Sequence, residues 1–173
     1  EEVHAAMKND MSGAAAILAA MLTLSDLDCP VKVTGFLMCT DNIPSATAMA
    51  LGDVINIRGG KTVEVINTDA EGRLVMADAL VLATEEDHDA IVDIATLTGA
   101  CMRALGTQIA GLMGNNQAMV EQVKAAGEAA DEPVWQLPLA ECYRRENASQ
   151  IADIRNIGIT PNGGALHAGL FLS

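Results

Sequence analysis

Short β-branched apolar runs alternate with runs rich in Ala, Leu and Met along nearly the whole chain, and that alternation limits its folds more than any other feature. Residues 31–39, 62–67, 90–97 and 108–113 read as strands. Residues 12–24, 70–86 and 117–130 read as helices, 141–147 as a short helix, and 165–172 as the start of another. The 12–24 helix is almost continuously apolar and is expected to be buried. An extended 53–58 joined to 62–67 across Gly59-Gly60 reads as a hairpin, 41–52 as loop and 133–139 as irregular. Strands alternating with helices specify an α/β fold: a central, mostly parallel or mixed sheet flanked by helices on both faces. Half of the residues are apolar and only 2% are aromatic, so the core must be built from Ala, Val, Ile, Leu and Met. A length of 173 residues suits one domain and is too short for two well-packed ones.

The formal charge of −13 repels phosphate backbones and anionic lipid, so neither nucleic acid nor a membrane surface is an expected partner. Most of that acid serves solubility unless part of it is gathered to hold cations. Four cysteines, Cys29, Cys39, Cys101 and Cys142, are widely spaced with no CxxC pair, and reduced thiols in a cytoplasmic protein are expected. The opening Glu1-Glu2 lacks a basic leader, and the apolar stretch 13–22 is too short to cross a bilayer. Because it opens on Glu1 and stops inside the apolar run 169–173, the chain is expected to be an excerpt or a processed product.

The segment richest in chemistry is Asn67-Thr68-Asp69-Ala70-Glu71-Gly72-Arg73-Leu74, between an expected strand and an expected helix. Asp69 and Glu71 are two apart in extended or turning backbone, which aims both carboxylates to one side. A helix N-terminus beside them tolerates anions. Gly72 permits a close turn, and Arg73 sets a planar cation next to the acids. An ordinary alternative is that Asp69 caps the helix and Glu71 pairs with Arg73 on the surface. Asp10, just before the 12–24 helix, has the same ordinary alternative as an N-cap. In combination, three carboxylates from two strand–helix junctions could converge on one cation site. Oxygen donors suit Mg, Mn or Zn, and bridging carboxylates suit a metal pair about 3.5–4 Å apart. His4, His88 and His167 show no ligand spacing, and no Cys–His nucleophile pair is suggested. His88 reads as part of a solvated acidic helix end, 85–89, and His167 as a residue of a packing helix.

Residues 67–74 resemble the signature octapeptide of the leucyl aminopeptidase family. Residues 7–15 resemble the start of its metal-binding helix, 93–100 its substrate-site loop, and 151–158 a later family segment, all in family order. The resemblance implies a partial peptidase catalytic domain over 1–173, without the family's amino-terminal domain. It implies two divalent metal ions, Mn or Zn, with Mg or Co as alternatives. Asp10, Asp69 and Glu71 match metal ligands; Glu71 bridges the pair, and Asp69 also offers its carbonyl. Arg73 matches the arginine that holds a bicarbonate acting as general base. Such a metal pair binds the free α-amine of a peptide, polarises the scissile carbonyl and activates water. Leu97 and Gly99 match residues whose backbone groups orient the substrate, and Met7 and Thr96 match the wall of the pocket for the first side chain. Met7 as plain core, and Thr98-Gly99 as only a sheet-edge turn, stay open. The family's hexameric assembly implies a homo-oligomer.

Some family features find no match. A Lys and an Asp upstream of Met7 are not present in residues 1–6, Lys8 lies on the wrong side, and a second substrate-site Lys is missing. The last part of the family domain is expected to be missing from a chain of this extent. Residues 48–53 lack the family's Arg-Pro before Gly-Asp, a change in loop stiffness. One metal site is therefore expected to be short of ligands. The expected activity is removal of N-terminal residues, Leu-like ones preferred, with a chain of this extent short of a complete site. A non-catalytic oligomerisation module on the same fold and a two-metal phosphohydrolase are the alternatives.

Overall fold

The computed structural model describes residues 5–173; Glu1, Glu2, Val3 and His4 lie outside the described residues. Its elements in chain order are α1 (Ser12–Thr23), β1 (Val54–Asn56), β2 (Thr62–Glu64), α2 (Gly72–Thr84), α3 (Ala100–Leu105), β3 (Ala110–Leu112), α4 (Gln117–Ala129), β4 (Val134–Gln136), β5 (Ile154–Arg155) and α5 (Gly164–Leu172). Two 3-10 turns, Met7–Asn9 and Glu141–Asn147, complete the list. The result is an α/β arrangement of parallel and mixed strands flanked by helices.

One sheet has the order β1-β2-β5. β1 and β2 are antiparallel with Ile55 opposite Val63. The hairpin turn runs through Gly59 (φ 89°) and Gly60 (φ 94°), a left-handed conformation that side chains other than glycine resist. β5 joins parallel to β2, with Val63 opposite Ile154. Beside this sheet α2 and α5 pack together, and the core consists of Ile57, Val63, Val65, Leu74 and Phe171. The second sheet pairs β3 with β4 in parallel across the crossover helix α4. Asn116 caps that helix by accepting from Met119 N at 3.2 Å, which satisfies one of the donors a helix start leaves open.

Helical stretches fall where local composition puts them, because Ala, Leu, Met and Glu favour helix whatever surrounds them. Burial is another matter. α1 was expected to be buried, yet only Gly13 is; Leu18 and Leu22 are 49% and 70% exposed. Helix propensity is satisfied within the segment, whereas burial needs a facing layer.

Residues 31–39 and 90–97 correct the strand reading more strongly. Neither forms a ladder, and Val31, Val33, Val92 and Ile94 are exposed. β-branched residues fit a pleated, packed surface. Among the described residues no neighbouring strand supplies one to either run, and the strands that do form lie in a three-stranded and a two-stranded sheet.

Two further differences have local causes. Pro133 precedes β4, where its missing N–H is not needed, and its carbonyl accepts from Ala110 N at 3.0 Å. The Thr98-Gly99 turn leads into α3 and not to a sheet edge: Thr98 Oγ1 accepts from Ala100 N at 3.2 Å, and Gly99 is the residue that opens the helix.

Candidate active site

Asp10 ends the Met7–Asn9 turn, and its N–H donates to Met7 O at 3.0 Å. It does not cap α1: Met11 holds the cap position, with no side-chain bond to the helix. The Asp10 carboxylate is held from elsewhere, by Thr96 Oγ1 donating to Oδ1 at 2.7 Å. Gly13 explains how these distant segments meet. A Cβ at Gly13 would collide with Ile94 O and lie 2.7 Å from Ala95 Cα, so the first turn of α1 rests directly on the backbone of the 93–100 loop.

The same loop touches the octapeptide. Leu97 Cδ1 lies 3.8 Å from the place a Cβ on Gly72 would take, at the first residue of α2. Glu71 precedes that helix in helical geometry (φ −73°, ψ −35°) and makes no side-chain cap bond. Its Oε2 accepts from Asn42 Nδ2 at 2.9 Å, and the same Asn42 nitrogen donates to Thr68 O at 3.0 Å. Asp69 N donates to Asn67 Oδ1 at 2.9 Å, while the exposed Asp69 carboxylate does not serve as a cap. Both ordinary alternatives for the acids, caps and a surface pair with Arg73, are therefore absent from this arrangement.

Charge ties the corner together. The Glu71 carboxyl is pushed above its usual value by burial, then by repulsion from Asp10 and Asp69, against the pull of Arg73. Arg73 is 5% exposed and makes no ion pair among the described residues. Its Nε and Nη1 are buried without an acceptor there, and burial holds its pKa below the usual arginine value. A buried guanidinium with open donors can receive a planar oxyanion. Mutually repelling carboxylates, one of them partly desolvated, are relieved by a divalent cation. Yet among the described residues no three His, Cys, Asp or Glu side chains stand close enough to enclose a metal ion. The acids sense one another without closing around a single point.

Each anticipated residue has a definite place. Asp10 and Thr96 are bonded to each other; Glu71 is within electrostatic reach of Asp10, Asp69 and Arg73. Met7 is 48% exposed, which excludes the plain-core alternative for it. Leu97 packs at Gly72, and nothing lies within 4 Å of where a Gly99 Cβ would stand. His88 is exposed, beyond the end of α2, with Nδ1 2.8 Å from Glu86 O, and the four cysteines are free. His167 is 2% exposed on α5.

Two residues went unremarked in the sequence. Asn42 sat in what read simply as a loop, and Asn156 in a family-like segment with no role attached. Both act through hydrogen bonds to residues far away in the chain, which no local pattern announces.

The fold and this corner define an α/β protein that gathers acidic side chains and a buried arginine where a helix-opening turn, an unpaired loop and an octapeptide adjoin. The chain belongs to the cytosol aminopeptidase family: that family's catalytic domain matches residues 1–173. It is 48% identical over 167 residues to the cytosol aminopeptidase of Pseudomonas aeruginosa strain PAO1, covering 96% of this chain and 34% of that protein. It is 50% identical to probable cytosol aminopeptidases of Rhodopirellula baltica and Azotobacter vinelandii, again over 96% of this chain. The chain thus spans about a third of the length of the curated relatives it matches.

Proposed function

We propose that these residues form part of the catalytic domain of a metal-dependent aminopeptidase that removes N-terminal residues, Leu-like ones preferred, from peptides. The observation that carries this reading is the Glu71 carboxylate, partly buried, repelled by Asp10 and Asp69, and used by no helix cap. Two divalent cations, Mn or Zn with Mg or Co as alternatives, would supply Lewis acidity toward the scissile carbonyl and lower the pKa of an attacking water. Asp10, Asp69 and Glu71 are the residues of this chain that would hold them. Thr96 holds Asp10, and Asn42 holds Glu71. The open N–H groups of Arg73 would hold a bicarbonate, which would supply a general base there. Met7 and Thr96 border the pocket for the first side chain, and backbone groups of Leu97 and Gly99 orient the peptide.

Hexameric assembly and a cytoplasmic location belong to the same reading. It is tested in two arms. Calorimetric titration of the chain with Mn(II) or Zn(II) should show binding that Glu71→Ala abolishes. A full-length protein containing these residues should hydrolyse Leu-amide and lose that activity to a chelator. Wild-type hydrolysis in a full-length Glu71→Ala variant would falsify the ligand assignment, and phosphatase without peptidase activity would move the protein to the phosphohydrolases.

A second reading has one observation in its favour. The exposed apolar side chains Val31, Val33, Val92 and Ile94 suit association, and so a non-catalytic oligomerisation module. A discrete oligomer in size-exclusion chromatography whose size and stability ignore added metal would favour it.

A further inference from the structure

The loop that carries Asp69 and Glu71 lies outside every strand and helix from residue 65 to residue 71. Val65 is held by the preceding turn: its N–H donates to Asp53 O and its carbonyl accepts from Gly52 N, both at 2.8 Å. Beyond it, one side chain bonds the backbone at Ile66, Asn67 and Ala70. Asn156, fully buried at 0% exposure, follows β5. Its Oδ1 accepts from Ile66 N at 2.9 Å and from Asn67 N at 3.3 Å. Its Nδ2 donates to Asn67 O at 2.5 Å and to Ala70 O at 3.4 Å. Its own N–H donates to Glu64 O at 3.0 Å, which seats it on the last residue of β2.

An amide of this size presents an acceptor pair and a donor pair on opposite corners, and here all of these are used. No other side chain of that volume does so. A carboxylate in its place would turn an oxygen toward two carbonyls, and an apolar isostere would strand two part-buried N–H groups and a carbonyl.

We propose that Asn156 is a positioning residue for the metal-binding carboxylates. It fixes the curl from Ile66 to Ala70 and so sets the direction in which Asp69 and Glu71 leave the backbone. This rests on the metal reading of Asp10, Asp69 and Glu71 given above. Because metal affinity depends steeply on where ligand oxygens stand, loss of the clamp is read in the metal and not only in the melting curve.

The experiment compares Mn(II) affinity, per folded molecule, of the chain, Asn156→Asp, Asn156→Ser and Asp153→Asn. Asn156→Ser keeps a hydroxyl and adds no charge, and it serves if the charged variant does not fold. Asp153 accepts from Thr62 N at 2.8 Å and Thr62 Oγ1 at 2.7 Å, so its variant loosens β2 against β5 without touching the loop. The expected result is a dissociation constant raised about ten-fold or more in both Asn156 variants. In Asp153→Asn it should stay within about two-fold, despite a lower Tm. An unchanged affinity in folded Asn156 variants overturns the inference and leaves the metal reading intact. An equal loss in Asp153→Asn also overturns it, since the effect is then general softening. No Mn(II) binding by the unsubstituted chain overturns the metal reading itself, and this inference with it.

Discussion

At the scale of single residues the decisive quantity is the cost of keeping Glu71 charged. Burial and its two acidic neighbours raise its pKa, so the folded chain holds that proton to a higher pH than the unfolded chain does. Linkage then gives the sign: stability of the metal-free chain falls as pH rises through the window between the ordinary carboxylate value and the raised one. Glu71→Gln removes that charge. In chelator at pH 7 the variant is expected to melt about 2 °C higher than the chain itself, and to show no upward shift with Mn(II), by calorimetry. A lower Tm for the variant in chelator would show that the carboxylate is not repelled. Protons also compete with metal, so Mn(II) affinity should drop on acidification at a pH above that of an ordinary glutamate. Asn42 is the partner to test alongside. Its amide both orients Glu71 Oε2 and ties it to Thr68 O. Asn42→Ala should raise the Mn(II) dissociation constant by about five-fold, one exposed charge-assisted hydrogen bond being worth roughly 1 kcal/mol. Because Asn42 is exposed, Tm should scarcely move.

At the scale of elements, what the sequence discloses depends on how local the cause is. α2 and α4 were legible to within about two residues because propensity and the Asn116 cap act within a turn or so. The hairpin was legible because Gly59-Gly60 supplies a conformation few other residues accept. Runs 31–39 and 90–97 have the composition of strands and are not strands, since a ladder needs a second segment that composition does not specify. The candidate site divides the same way. Asp69, Glu71 and Arg73 could be named because they sit in one octapeptide, and Asp10 because residues 7–15 resemble the start of the family's metal-binding helix. Asn42 and Asn156 could not, since their partners lie 29 and 90 residues away. Contact between elements yields its own prediction at Gly13. A methyl there meets the Ile94 carbonyl and the Ala95 Cα, which are backbone and cannot rotate aside. Gly13→Ala should therefore shift α1 off the 93–100 loop at a cost of about 1–3 kcal/mol and break the Thr96–Asp10 bond. Its Mn(II) affinity should fall together with its Tm. Asn116→Ala, far from the acids in the chain, should cost about 1 kcal/mol of stability, lowering Tm and leaving Mn(II) affinity unchanged.

At the scale of the whole molecule, two surfaces pull in opposite directions. A charge of −13 keeps copies apart at low salt, while Val31, Val33, Leu37, Val92 and Ile94 leave two apolar runs open to water. Among the described residues neither run has its backbone N–H and C=O groups paired in a ladder, so each offers both apolar area and hydrogen-bonding edges to an incoming strand. Screening of the charge shifts the outcome, because the Debye length falls from about 30 Å at 0.01 M salt to about 8 Å at 0.15 M. Self-association should therefore increase with added salt, the reverse of what an assembly held by ion pairs would do. Light scattering over that salt range measures it directly. The double substitution Val33→Lys, Ile94→Lys places a cation on each run and should keep the chain monomeric at the higher salt, as lysine does on natural sheet edges. Association that weakens with salt, or that survives both lysines, would place the contact elsewhere on the molecule.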